Sequence, residues 1–160
     1  MGVAAILFDK DGTLFDFQAT WAGWAADLLD DFAAGEPAMA EDLAGRVGLD
    51  RAARRFRPES PLIAGTAADA VALLAPGLPH LSADEIAARM IARAGEVAPV
   101  EAVPLVPLMA RLRGAGLLLG VATNDSEGPT LAQLDGLGLA GAFDFVAGAD
   151  SGHGAKPDPA

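Results

Sequence analysis

An apolar run from Val3 to Phe8 ends on Asp9-Lys10-Asp11-Gly12, and the next run of that kind, Leu117 to Ala122, follows only after a long stretch of helical periodicity. Unbroken apolar runs bounded by turn residues mark strands buried on both faces of a parallel sheet. Parallel neighbours cannot be joined by a hairpin and need a crossover. One strand, a long helical block, then strand-helix-strand therefore predicts a parallel α/β core interrupted by a helical insertion. The expected boundaries are residues 1–15 and 101–160 for the core and 16–100 for an all-helical insertion.

Within the insertion, Phe17, Trp21, Trp24, Ala25, Leu28 and Phe32 recur at helical spacing, and Gly35 with Pro37 closes the segment. Thr66-Ala67-Ala68-Asp69 and Ser82-Ala83-Asp84-Glu85 match the capping box, in which two side chains satisfy first-turn amides, so each predicts a helix start. Beyond Pro104, the stripe Leu105, Leu108, Met109 and Leu112 predicts a helix stopped by Gly114 and Gly116. A short helix through Leu131 and Leu134 then leads to a third strand at Phe143 to Ala147.

Charge narrows the function. Eleven basic against twenty-two acidic residues give a net charge of -11, which opposes binding to nucleic acid or an anionic membrane. A phosphorylated substrate would need a local cationic device. Without cysteine there is no disulfide and no thiolate metal site, and the N-terminal run is too short for a membrane span and lacks a basic flank. The expected location is the cytoplasm.

Asp9-Lys10-Asp11-Gly12-Thr13-Leu14 puts two carboxylates two residues apart where a strand becomes a loop, and Gly12 lets the backbone bend so that both can face one crevice. Such a pair suits phosphoryl transfer: one carboxylate attacks phosphorus while the other gives a proton to the leaving oxygen and later takes one from water. The competing reading as a calcium loop lacks its later ligands, position 20 being Thr. Further along, Val121-Ala122-Thr123-Asn124 ends the second strand, and Asp150-Ser151-Gly152-His153-Gly154-Ala155-Lys156-Pro157-Asp158-Pro159 follows the third.

In type and order these three stretches resemble the motifs of the haloacid dehalogenase (HAD) superfamily, most closely its phosphoglycolate phosphatase-like branch. The resemblance implies a Rossmann-like parallel core with an inserted helical cap. It implies Asp9 as a nucleophile forming an aspartyl phosphate and Asp11 as general acid/base. Mg2+ would be held by the Asp9 carboxylate and the Asp11 carbonyl, with no organic cofactor. Thr123 and Asn124, with Gly12, would contact the phosphoryl group, and Lys156 would offset its charge. The expected activity is hydrolysis of a small phosphorylated metabolite, 2-phosphoglycolate among the candidates, with neither nucleic acid nor membrane as partner. A phosphosugar mutase, which returns the phosphoryl group to its substrate, is the second reading. The third is an inactive, phosphate-binding fragment, because the family carries a further strand and acidic motif after the lysine while this sequence ends at Ala160. On that expectation of truncation, Val3 to Phe8 would be an open sheet edge available for association.

Other signals weigh less. Gly136-Leu137-Gly138-Leu139-Ala140-Gly141 has the spacing of a dinucleotide motif but follows a helix, so it reads as a helix C-terminal turn, and Gly154-Ala155-Lys156-Pro157 is no Walker A loop. Arg51, Arg54, Arg55 and Arg57 read as an exposed helical face, with contact to an anionic substrate as the alternative. Phe17, Trp21 and Trp24 read as the insertion's own core, and His80 and His153 as non-catalytic.

Overall fold

The structure is a computed structural model that describes residues 2–158. In chain order its elements are β1 (Ala5–Phe8), α1 (Phe17–Phe32), α2 (Pro37–Arg46), β2 (Leu49–Asp50), β3 (Arg55–Phe56), α3 (Ala67–Leu74), α4 (Ala83–Ala94), α5 (Leu105–Gly114), β4 (Leu118–Ala122), α6 (Glu127–Gly136) and β5 (Phe145–Ala147). The chain divides into two compact units, Met1–Asp16 with Ala98–Ala160, and Phe17–Val97.

The first unit is a three-stranded parallel sheet in the order β1-β4-β5. Ala5 pairs with Leu118 and Phe8 with Val121, while Gly120 faces Phe145 and Ala122 faces Ala147. All three strands therefore end level, and the segments that leave them start from one edge. Ile6, Phe8, Leu119, Val121 and Val146 pack with Leu105 and Met109 of α5 and Leu134 of α6 into one cluster. The opposite face is bare: Leu7 is 64% exposed, Leu118 58% and Phe145 47%. The expectation that Val3 to Phe8 is buried on both faces is thus corrected. Among the described residues both crossover helices pack on the Ile6 side, so the apolar residues of the other side meet no helix.

The Phe17–Val97 unit has its own core of α1, α2, α3 and α4, in which Leu28, Phe32, Leu43, Leu74 and Ile86 are buried. Trp21 is buried in that cluster and Phe17 and Trp24 pack against it, as their spacing predicts. Both capping boxes form, with Thr66 and Asp69 at the start of α3 and Ser82 and Glu85 at the start of α4. The expectation of an all-helical segment fails at β2 and β3, a two-stranded antiparallel ribbon pairing Leu49 with Phe56. Its apolar residues are buried, and the Gln18 side chain of α1 satisfies both the N–H (2.9 Å) and the carbonyl (3.0 Å) of Phe56. Arg51 and Arg54 lie in the turn of this ribbon rather than on a helix. Arg51 pairs with Asp30 and Glu41, and Arg54 with Asp27. Among the described residues no helix is long and apolar enough to cross a membrane.

Candidate active site

The loop after β1 winds tightly on one carbonyl. Lys10 O accepts from the amides of Thr13 (3.3 Å), Leu14 (2.8 Å) and Phe15 (3.0 Å), and Gly12 N–H donates to Phe15 O at 2.8 Å. Gly12 sits at φ +80°, a conformation that costs a side-chain-bearing residue far more than glycine. Gly12, expected among the phosphate contacts, thus spends its N–H on the loop itself.

At the head of the loop the Asp9 carboxylate is half-exposed. Its Oδ1 accepts from Lys10 N–H at 2.8 Å and from Lys156 Nζ at 2.5 Å. Lys156 Nζ also donates to Ala122 O at 2.9 Å, so the cation bridges the ends of β1 and β4. Two fixed donors on one oxygen set the carboxylate's orientation and leave Oδ2 as the other face of the group.

Thr123, directly after β4, is buried and donates its N–H to Ala147 O of β5 at 2.9 Å. Its Oγ1 accepts from Asp125 N–H at 3.1 Å. Asn124, expected beside a phosphoryl group, turns its amide to the Lys156 main chain: Oδ1 accepts from Lys156 N–H (2.7 Å) and Nδ2 donates to Lys156 O (2.9 Å). Asp9, Thr123 and Lys156 therefore gather at the carboxyl ends of the strands, where ligands of open α/β sheets bind.

Two further charged residues join this cluster. Lys10 is fully buried, and its Nζ lies 3.0 Å from Asp11 Oδ2, 3.0 Å from Asp125 Oδ2 and 2.8 Å from Gln133 Oε1. The only hint was a lone lysine between Asp9 and Asp11 in a stretch bounded by Phe8 and by Leu14 and Phe15. An Asp after Thr-Asn looks like any turn residue, and no local pattern points to the pairing of Asp125 with Lys10. His153 lies against the Phe145 ring, at 5.7 Å between centroids.

Among the described residues no group of three or more His, Cys, Asp or Glu side chains converges as a metal site. The Asp9 carboxylate and the Asp11 carbonyl nonetheless offer hard oxygen donors, in keeping with Mg2+ sites that use one or two carboxylates and fill the rest with water and substrate phosphate.

A family model described as haloacid dehalogenase-like hydrolase matches residues 3–160. The chain belongs to this family. A phosphoglycolate phosphatase of Rhodospirillum rubrum is 34% identical over 98% of this chain and 62% of its own length. One of Caulobacter vibrioides is 35% identical over 97% of the chain and 61% of its own length. The chain thus spans about three fifths of the curated relatives it matches. Among solved structures, a predicted phosphoglycolate phosphatase from Haemophilus somnus 129PT aligns at TM-score 0.62 and 21% identity, over 98% of this chain and 67% of that one. The L-2-haloacid dehalogenase of Xanthobacter autotrophicus aligns at TM-score 0.53 and 19% identity, over 99% and 61%. These structural likenesses establish the HAD-like fold: a parallel sheet with helices.

Proposed function

We propose that this HAD-family chain hydrolyses phosphate monoesters of small soluble metabolites through an aspartyl phosphate, with 2-phosphoglycolate as the first candidate because relatives at 34% and 35% identity carry that name. The observation that carries the reading is Asp9, oriented by Lys10 N–H and Lys156 Nζ at a strand's carboxyl end, beside a second carboxylate two residues on.

Asp9 attacks phosphorus and the ester P–O bond breaks. Asp11 gives its proton to the departing alkoxide, then takes one from the water that cleaves the aspartyl phosphate and releases inorganic phosphate. Thr123 lies where its hydroxyl can meet a phosphoryl oxygen, and Asn124 serves by holding the Lys156 main chain. Lys156 places a fixed cation where charge concentrates.

Charge counting supports a metal. With Asp11 carrying the proton it gives up, Lys10 and Lys156 supply two positive charges against the carboxylates of Asp9 and Asp125, so nothing is left over to offset an arriving phosphate dianion. Mg2+ held by the Asp9 carboxylate and the Asp11 carbonyl would supply the missing positive charge. The Phe17–Val97 unit is assigned as the inserted cap.

The test incubates the purified chain with 2-phosphoglycolate, a sugar phosphate and an aryl phosphate in Mg2+ or EDTA. It follows free phosphate, and it follows the covalent adduct by mass spectrometry. Mg2+-dependent phosphate release with an adduct on Asp9 is expected. Isomerised sugar phosphate without release would identify a mutase, and phosphate binding with neither adduct nor turnover would overturn catalysis.

A further inference from the structure

The structure assigns Lys10 as a positioning residue that fixes the proton-transferring carboxylate of Asp11 to the frame of α6; this rests on the hydrolase reading above. Lysine in a loop ordinarily runs its stem along the surface and leaves the ammonium in water. Here the side chain is wholly excluded from solvent, an arrangement unfavourable for an ion unless oxygen partners replace the lost water. Three oxygens do so: Asp11 Oδ2 at 3.0 Å, Asp125 Oδ2 at 3.0 Å and Gln133 Oε1 at 2.8 Å. The Phe15 ring lies against the ammonium as well, its centroid 5.6 Å from Nζ.

Those acceptors come from the β1 loop, the turn after β4 and helix α6. Each of the last two is itself anchored. Asp125 Oδ1 accepts from Ser126 N–H at 2.8 Å, and Gln133 is buried in α6. A carboxylate on a short loop would sample several rotamers, and a proton donor works only within hydrogen-bond reach of its target. Lys10 removes that freedom without facing the substrate, because its own amine is enclosed. A plain structural plug would need no acceptor on the reacting loop.

The test uses Lys10→Met, which keeps the side chain's length and removes its charge, in the full chain. Single-turnover formation of the Asp9 adduct is measured for an alkyl and an aryl phosphate. Formation from the alkyl ester should slow about 100-fold, the scale of a misplaced catalytic group. Formation from the aryl ester, whose leaving group needs little protonation, should slow less than about tenfold, with substrate affinity changed under about threefold. Equal losses for both esters, or a change in affinity alone, would overturn the assignment. Should Lys10→Met fail to fold, Asp125→Asn removes one anchor and leaves the ammonium paired; a smaller loss with the same leaving-group bias is expected, and an unbiased loss overturns the inference. A crystal structure of either folded variant, without metal or substrate, gives a readout independent of turnover: Asp11 should leave its wild-type orientation. A wild-type chain with no adduct would sink the hydrolase reading, while an Asp11 unmoved in the variants would sink the role of Lys10.

Discussion

The Phe17–Val97 unit and the α/β unit draw order from different sources. In the former, four helices close an apolar core on themselves and their ends are sealed by side chains three residues away, as at Thr66–Asp69 and Ser82–Glu85. In the latter, the sheet is packed on one face only among the described residues, and the charged centre joins residues far apart in sequence, such as Asp9 with Lys156 and Lys10 with Gln133. Stability should therefore respond to apolar truncation in either core, whereas chemistry should respond at the charged centre beyond the carboxyl ends of the strands.

The sharpest way to break that contrast is Asp9→Asn. Adduct formation should fall by more than about a thousandfold, while the thermal midpoint stays near wild type, because the exposed pair with Lys156 contributes at most about 1 kcal/mol. Retention of a tenth of the wild-type rate would remove Asp9 from the nucleophile's place. Next in size are core truncations read by denaturant titration: Ile86→Ala in the helical unit and Leu119→Ala in the sheet should each cost about 2–5 kcal/mol. Leu7→Ala, on the bare face of the same sheet, should stay within about 0.5 kcal/mol, as expected of a surface site. A Leu7→Ala loss equal to that of Leu119→Ala would mean that the bare face is covered in solution. Ser82→Ala, which removes one half of the α4 capping box, should cost about 1 kcal/mol and leave adduct formation untouched.

The smallest effect is on acid sensitivity. A backbone hydrogen bond from Thr66 holds Asp69 below its ordinary 3.8, one from Ser82 holds Glu85 below its ordinary 4.5, and one from Leu119 holds Asp144 below 3.8. A carboxylate depressed in the folded state contributes its full share above the unfolded value and loses it as pH falls through the folded one. The thermal midpoint should accordingly decline below the ordinary carboxylate range, shallowly because all three groups are exposed. A midpoint that rises on acidification would contradict a stabilising role for these hydrogen bonds.

Features that depend on near neighbours were legible in the sequence. The spacing of Trp21, Trp24, Leu28 and Phe32 predicts α1, the two capping boxes mark the starts of α3 and α4, and the apolar runs predict β1 and β4 to within a residue or two at each end. What the sequence could not supply was tertiary. A two-residue strand has no period, so β2 and β3 were invisible, and the turn carrying Arg51 and Arg54 read as helix. The apolar run Val3 to Phe8 records that both faces of β1 are greasy, not which face meets a helix. At the site, Asp9, Thr123 and Lys156 were readable from motif order. The burial of Lys10 depends on where α6 carries Gln133, which no local pattern encodes.

The grip of Asn124 on Lys156 separates a side chain from its address. Because the amide grips the main-chain N–H and carbonyl of position 156 rather than its side chain, it can hold that point of the loop for any residue there but proline. Position 156 is a socket, and the ammonium is the plug now fitted to it. Exchanging Lys156 for a neutral chain should take away the charge beside Asp9 and leave the socket seated, so the electrostatic share of the site can be tuned apart from its architecture.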